Sequence, residues 1–428
     1  MNPMNILKEI LRHEVFPALG CTEPIAVAYA ASIAAKKISG TVERIRIVVD
    51  PGVFKNGFAV TVPNTEGEKG ILIAGALGAL IVRPELKMEI LSGADPAMLQ
   101  QARKLIRSGA VTMTCDRSRK GLSIDTELKC GKDTVRAVIR QSHTHLALLE
   151  KNGRVLLTED SPDGGGTQAY KRILKEMRFA DFVGLAQGLD PEDARYIQKG
   201  IDMNRAISEA GRGLKKVGYY VSDLCSKGYI EDDIFTSGKI LTASAVDARM
   251  AGLSYPVMSS GGSGNQGVVA ILVPHHVGRH FRIEEATILQ SIALSHMVNS
   301  YIKCFTGELS PLCGCAIASG VGAAAAIVYQ QCGGDLQKIT LAVNNVISDL
   351  GGMLCDGAKG GCALKVASST DSAIRAAYMA INGHGITHRE GFVGKTAEES
   401  IRHLSRISRM GMEKADDTML KIMIEKGP

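Results

Sequence analysis

The chain has 428 residues, a net charge of +6, and 45% apolar against 22% charged residues, the balance of a folded protein of about two to three domains. That composition excludes disorder as the main state. Scattered basic residues and only 4% aromatics, none of them Trp, argue against nucleic-acid binding.

The start, Met1-Asn2-Pro3-Met4-Asn5, runs into an amphipathic helical pattern, so no secretory leader is expected. Helices are predicted over 6–16 and 24–38, broken by Pro17-Ala18-Leu19-Gly20. Val42, Ile45, Ile47 and Val49 alternate with Arg44 and Arg46, as a strand requires, and 57–62 is a second strand candidate. A helix is expected over 64–82, with Thr65 and Glu68 as a capping box, and another over 96–108. Strands follow at 110–114, 122–128, 134–141 and 144–150, and Lys151-Asn152-Gly153 suits a hairpin returning at 155–158. Ser161-Pro162-Asp163-Gly164-Gly165-Gly166 reads as a linker, and beyond it nearly every segment is helical. The expected fold class is α+β, a mixed α/β layer followed by a predominantly helical domain. The expected division is N-terminal helices 1–41 packed on the helical domain, an α+β domain 42–162 and a helical domain 167–428.

Cys315 to Tyr329, the longest small apolar stretch, is too short for a membrane span, so a cytoplasmic location is expected, without a membrane or nucleic-acid partner. Thiols stay reduced there, and ten cysteines call for a metal or catalytic explanation. Cys313, Cys315, Cys355 and Cys362 lie in glycine-rich turns at helix ends. Their spacing is not that of a structural zinc site, and thiolates on such loops suit an iron–sulfur cluster better. The competing reading is small buried residues packing helices. Cys21 precedes Thr22, a plausible N-cap, and Pro24. A helix start favours thiolate, the adjacent Glu23 opposes it, and a residue chosen for size in a tight turn is the alternative. Ser259-Ser260-Gly261-Gly262-Ser263-Gly264-Asn265-Gln266-Gly267 is neither a Walker nor a Rossmann pattern. Its hydroxyls and backbone N–H groups suit a carboxylate or phosphate, unless it is simply a flexible loop. His143 and His145 would share a strand face, as a metal pair or as ordinary sheet residues. Asn64-Thr65 is a helix cap that could also meet a substrate carboxylate.

The motifs around Ser259–Gly267, Cys313, Cys355-Asp356, Gly360-Gly361 and Cys362 resemble, in the same order, the α-domain of iron–sulfur L-serine dehydratases. The closer resemblance is to L-cysteine desulfidases, which share Phe16-Pro17-Ala18-Leu19-Gly20-Cys21-Thr22-Glu23-Pro24. It implies a [4Fe–4S] cluster on Cys313, Cys355 and Cys362, with Cys315 the rival first ligand, one iron open to substrate, and no pyridoxal phosphate. The activity implied is β-elimination of L-cysteine to pyruvate, ammonia and hydrogen sulfide, in a homodimer. Cys21 is then expected to be the base, its thiol pKa lowered by the helix start. The carboxylate would meet Ser259, Ser260, Gly261, Gly262, Ser263 and Asn265, with Asn64 and Thr65 across a domain interface and His143 as a further contact. An L-serine dehydratase with the same cluster, and a non-catalytic metal-binding or redox-sensing protein, are the alternatives.

Overall fold

The computed structural model describes residues 5–158, 167–307 and 309–426; the Ser161–Gly166 linker and the boundary at 162 lie outside them. The alternation at 42–49 forms the strand Arg44–Val49, with Ile45, Ile47 and Val49 buried and both arginines exposed. It lies second in a six-stranded sheet ordered Val111–Cys115, Arg44–Val49, Ser123–Cys130, Asp133–Arg140, Leu146–Lys151, Arg154–Thr158. The first pair is parallel and the rest antiparallel. Asn152 and Gly153, at φ 51° and 79°, close the last hairpin with the backbone hand that a two-residue turn demands.

Helix Thr22–Ala35, buried on nearly every side, packs against this sheet, and helix Ile71–Ile81 crosses it so closely that a Cβ on Gly78 would overlap the Ala28 carbonyl. Together they form one hydrophobic core. The second core is helical. Helix Ala318–Cys332, rich in alanine, packs against Gly264–His280, Glu285–Thr306, Leu336–Leu350 and Cys362–Ile381.

Several expectations are corrected. The segment at 57–62 makes only an isolated bridge, Thr61 to Lys69, and its first residue ends a helix over Pro51–Gly57 that Asp50 caps, its Oδ1 accepting from the N–H groups of Gly52 and Val53. The helix expected from 64 begins only at Ile71, because Asn64, Glu66, Gly67 and Gly70 all sit at positive φ. The Thr65–Glu68 capping box does not form; the Thr65 hydroxyl donates to the Val62 carbonyl at 2.6 Å. The two N-terminal helices part company. Ile6–His13 buries Ile6, Leu7, Ile10 and Leu11 in the helical core, whereas Thr22–Ala35 belongs to the sheet core. Between them Pro17–Ala18 pairs antiparallel with Val257–Met258, so the chain passes from one core to the other beside the Ser259–Gly267 loop. The C-terminal helix Glu413–Lys426 returns to the sheet core through Leu420 and a Lys55–Asp416 ion pair. Among the described residues no helix is long and apolar enough to cross a membrane.

Candidate functional site

The seam between the cores opens into a cleft with an enclosed volume of about 80 Å³. The helical core contributes two cysteine loops. Leu312 bridges Leu354, the Cys313 N–H donates to the Met353 carbonyl at 2.9 Å, and the Cys355 N–H donates to the Pro311 carbonyl at 2.7 Å. This short ladder brings Cys313 beside Cys355. Cys362 opens helix Cys362–Ile381, its Sγ 3.6 Å from the Gly357 carbonyl oxygen. The four thiols are close enough to perturb one another. A hydrogen bond from Cys315, helped by the charge of Lys365, holds Cys313 down at about 7 despite burial. The same bond, with burial, drives Cys315 well above the ordinary thiol value. Burial first, then the charge of Cys313, raises Cys355 and takes Cys362 to about 11. Lys365 donates to Asp356 Oδ1 at 2.6 Å and to the Leu354 carbonyl at 2.7 Å, which fixes its charge at the loops.

The sheet core contributes Glu23 and His143. Glu23 stands in the first turn of helix Thr22–Ala35, and His143 lies in the turn between strands Asp133–Arg140 and Leu146–Lys151. The expected strand pair of histidines does not form: His143 is buried in the cleft, and His145 sets its Nδ1 3.1 Å from the Arg140 carbonyl oxygen. His143 Nε2 lies 3.6 Å from Glu23 Oε1, beyond hydrogen-bond length, and has no hydrogen-bond partner among the described residues. Burial alone would raise the Glu23 pKa; the imidazole of His143 and the thiol of Cys21 reverse this and take it to about 2.

Cys21 sits behind this pair as the N-cap residue, donating from Sγ to Glu23 Oε2 at 2.9 Å. Its expected low pKa is overturned. Burial, then the Glu23 carboxylate, pushes the thiol well above its ordinary value, outweighing the helix start and the charge of Arg249. Cys21 does not line the cleft.

The Ser259–Gly267 loop also differs from expectation. Ser259 Oγ accepts from the Phe16 N–H at 2.8 Å and donates to the Glu14 carbonyl at 2.9 Å. Ser260 Oγ is engaged by His296 and Asn299 at 2.8 and 2.9 Å, and the Gly262 N–H donates to the Glu14 carbonyl at 2.9 Å. Gly261 offers its carbonyl to Lys303, and Asn265 Oδ1 accepts from buried Arg249 at 3.0 Å. Of the Ser259–Gly267 loop, Ser263 and Gln266 line the cleft, and Ser263 is the one of them predicted to meet the substrate carboxylate. Asn64 and Thr65 do not reach it. Asn64 donates to the Leu91 carbonyl at 2.8 Å and accepts from Ser254.

Lys303 is a cleft residue that the sequence reading did not name, while Glu23 was read only as the charge beside Cys21 and Gln266 only as part of the loop. One signal for Lys303 was present. His296, Asn299, Ser300 and Lys303 make a polar stripe at helical spacing in the C-terminal half of helix Glu285–Thr306. Gln266 packs against the cysteine turn, where a Cβ on Gly314 would lie 2.6 Å from its Nε2.

With this geometry in view, the profile of the serine dehydratase alpha chain family matches residues 85–421. The chain belongs to this family. It is 61% identical over 424 residues to the UPF0597 protein GSU1527 of Geobacter sulfurreducens, covering 99% of each chain. A UPF0597 protein of Elusimicrobium minutum is 52% identical over 423 residues, covering 99% of this chain and 100% of that one. A UPF0597 protein of Clostridium tetani is 38% identical over 426 residues, covering 100% of each. No solved structure matches. The serine dehydratase alpha chain family is generally iron–sulfur-dependent. Among the described residues no group of three or more His, Cys, Asp or Glu is placed to hold a single metal ion. The converging donors are all sulfur, which is the donor chemistry of an iron–sulfur cluster.

Proposed function

We propose that this serine dehydratase alpha chain relative is a cluster-dependent β-eliminating lyase, acting on L-cysteine to give pyruvate, ammonia and hydrogen sulfide. The observation that carries it is a single cleft lined by cysteine thiols on one wall and the Glu23–His143 pair on the other. Cys355 and Cys362, with Cys313 or Cys315, would hold a [4Fe–4S] cluster, which when bound supplies Lewis-acid iron for the departing sulfur.

The chain's own residues do the rest. Ser263 and the start of helix Gly264–His280 take the substrate carboxylate, where unpaired N–H groups and the helix dipole favour an anion. His143 Nε2 accepts the α-proton, and the ionised Glu23 beside it stabilises the imidazolium that results. The Cα–H electron pair becomes the Cα=Cβ bond as Cβ–S breaks. The aminoacrylate released then hydrolyses to pyruvate and ammonia. Cys21, protonated, orients Glu23 through its hydrogen bond instead of acting as the base.

The family match favours a second reading, with L-serine as substrate and hydroxide as leaving group. Anaerobic reconstitution with iron and sulfide, followed by pyruvate assays on both amino acids, tests the choice. Pyruvate with equimolar sulfide from L-cysteine, at a higher kcat/KM than from L-serine, is the expected result. A higher kcat/KM on L-serine would replace the desulfidase assignment, and pyruvate from neither would sink the lyase.

A further inference from the structure

Among the described residues lining the cleft, Glu23 is the carboxylate and Lys303 the amine, and both are buried, at 7% exposure each. They come from opposite cores, Glu23 from the helix on the sheet and Lys303 from helix Glu285–Thr306. A zwitterionic amino acid entering between them meets opposite fields at its two ends. Its carboxylate is repelled from the Glu23 side and drawn to the Lys303 side.

The surroundings of Lys303 are built to hold it at the substrate loop. Its Nζ donates to the Gly261 carbonyl, two residues before Ser263. Gly261 has φ 54°, and a Cβ there would lie 2.6 Å from Lys303 Cδ and 2.9 Å from Asn299 Nδ2, so the loop leaves room for this side chain. Two further buried acceptors nearby, Gln266 Oε1 and Asn299 Oδ1, have no hydrogen-bond partner among the described residues.

Resting on the lyase function proposed above, we propose that Lys303 is the counter-ion for the substrate α-carboxylate and makes the enzyme selective for free amino acids over amides, esters and peptides. A charge-assisted contact of this kind changes affinity by about 10- to 100-fold. The selectivity is thus set by one side chain on a helix that carries neither a proposed cluster cysteine nor the proposed proton acceptor.

The test compares wild type, Lys303→Met and Lys303→Arg, all anaerobically reconstituted and matched for folding by circular dichroism and thermal unfolding. Binding of L-alanine, which has no β leaving group, is measured calorimetrically beside L-alaninamide, and pyruvate formation is followed from L-cysteine. Wild type should prefer alanine to its amide by about 10-fold or more, Lys303→Met should lose that preference, and Lys303→Arg should keep most of it. A Lys303→Met protein that keeps the wild-type preference would overturn the role of Lys303 while leaving the lyase standing. If Lys303→Met fails to fold, Lys303→Gln takes its place, and a Lys303→Gln protein that keeps the wild-type preference would overturn the role of Lys303 in the same way. Wild type that forms no pyruvate and binds neither ligand would overturn both proposals.

Discussion

Replacing Glu23 with glutamine keeps the size of the side chain and a partner for the Cys21 thiol but removes the charge facing His143. The Glu23 pKa falls from 4.5 to about 2 on folding, which corresponds to about 3 kcal/mol of stability at neutral pH. The group is buried, so solvent screening takes little from this figure. Its folded pKa is depressed, so the contribution is complete above the unfolded value and is lost as pH falls through about 2. Glu23→Gln should therefore unfold about 3 kcal/mol more easily than wild type at pH 7 in urea titrations. The gap should narrow steadily below pH 4.5, over whatever range both proteins remain folded. A gap equal at pH 7 and pH 3.5, or a variant more stable at pH 7, would refute the assignment of Glu23 as an ionised partner of His143.

Ser259→Ala should cost about 1–3 kcal/mol, because its hydroxyl serves two backbone groups where the cores join. Ser263→Ala should leave stability within about 0.5 kcal/mol and raise KM instead; urea titration and initial rates separate the two, and a reversed pattern would move the carboxylate site. Gly267→Ala should lower stability by about 2–4 kcal/mol, because a Cβ there overlaps the Met258 carbonyl; an unchanged urea midpoint would show that the loop gives way freely. Between the buried thiols Cys313 and Cys21 in metal-free chain at pH 7.5, iodoacetamide followed by peptide mass spectrometry should label cleft-lining Cys313 first, and the reverse order would refute their opposite pKa shifts.

The sheet was legible because one solvated face forces alternation, as in Ile45, Ile47 and Val49 against Arg44 and Arg46. The cysteine turns were legible because their glycines mark helix ends. What local pattern could not show was partnership between distant segments. Glu23 in a first helical turn and Lys303 in a last one are where dipole compensation puts such charges anyway. Their burial arises only when two cores meet. The same applies to Cys21: the helix start was read correctly, but burial and Glu23 decide its pKa. Ser259 and Ser260 were identified as hydroxyls in a polar loop, yet tertiary contacts with Glu14, Phe16, His296 and Asn299 occupy them. Asn64 failed for a backbone reason, since positive φ there makes a turn where a helix was expected.

The crossing at Pro17–Ala18 divides the site between two bodies of packing. Glu23 and His143 ride on one core, while Lys303 and the cysteine loops ride on the other. Either half, folded alone, would present half a cleft to water. The site therefore exists only where the two cores meet, and its integrity depends on the free energy of the seam. A mutation far from any reacting atom, but at that seam, would then dismantle the site while both cores kept their shape.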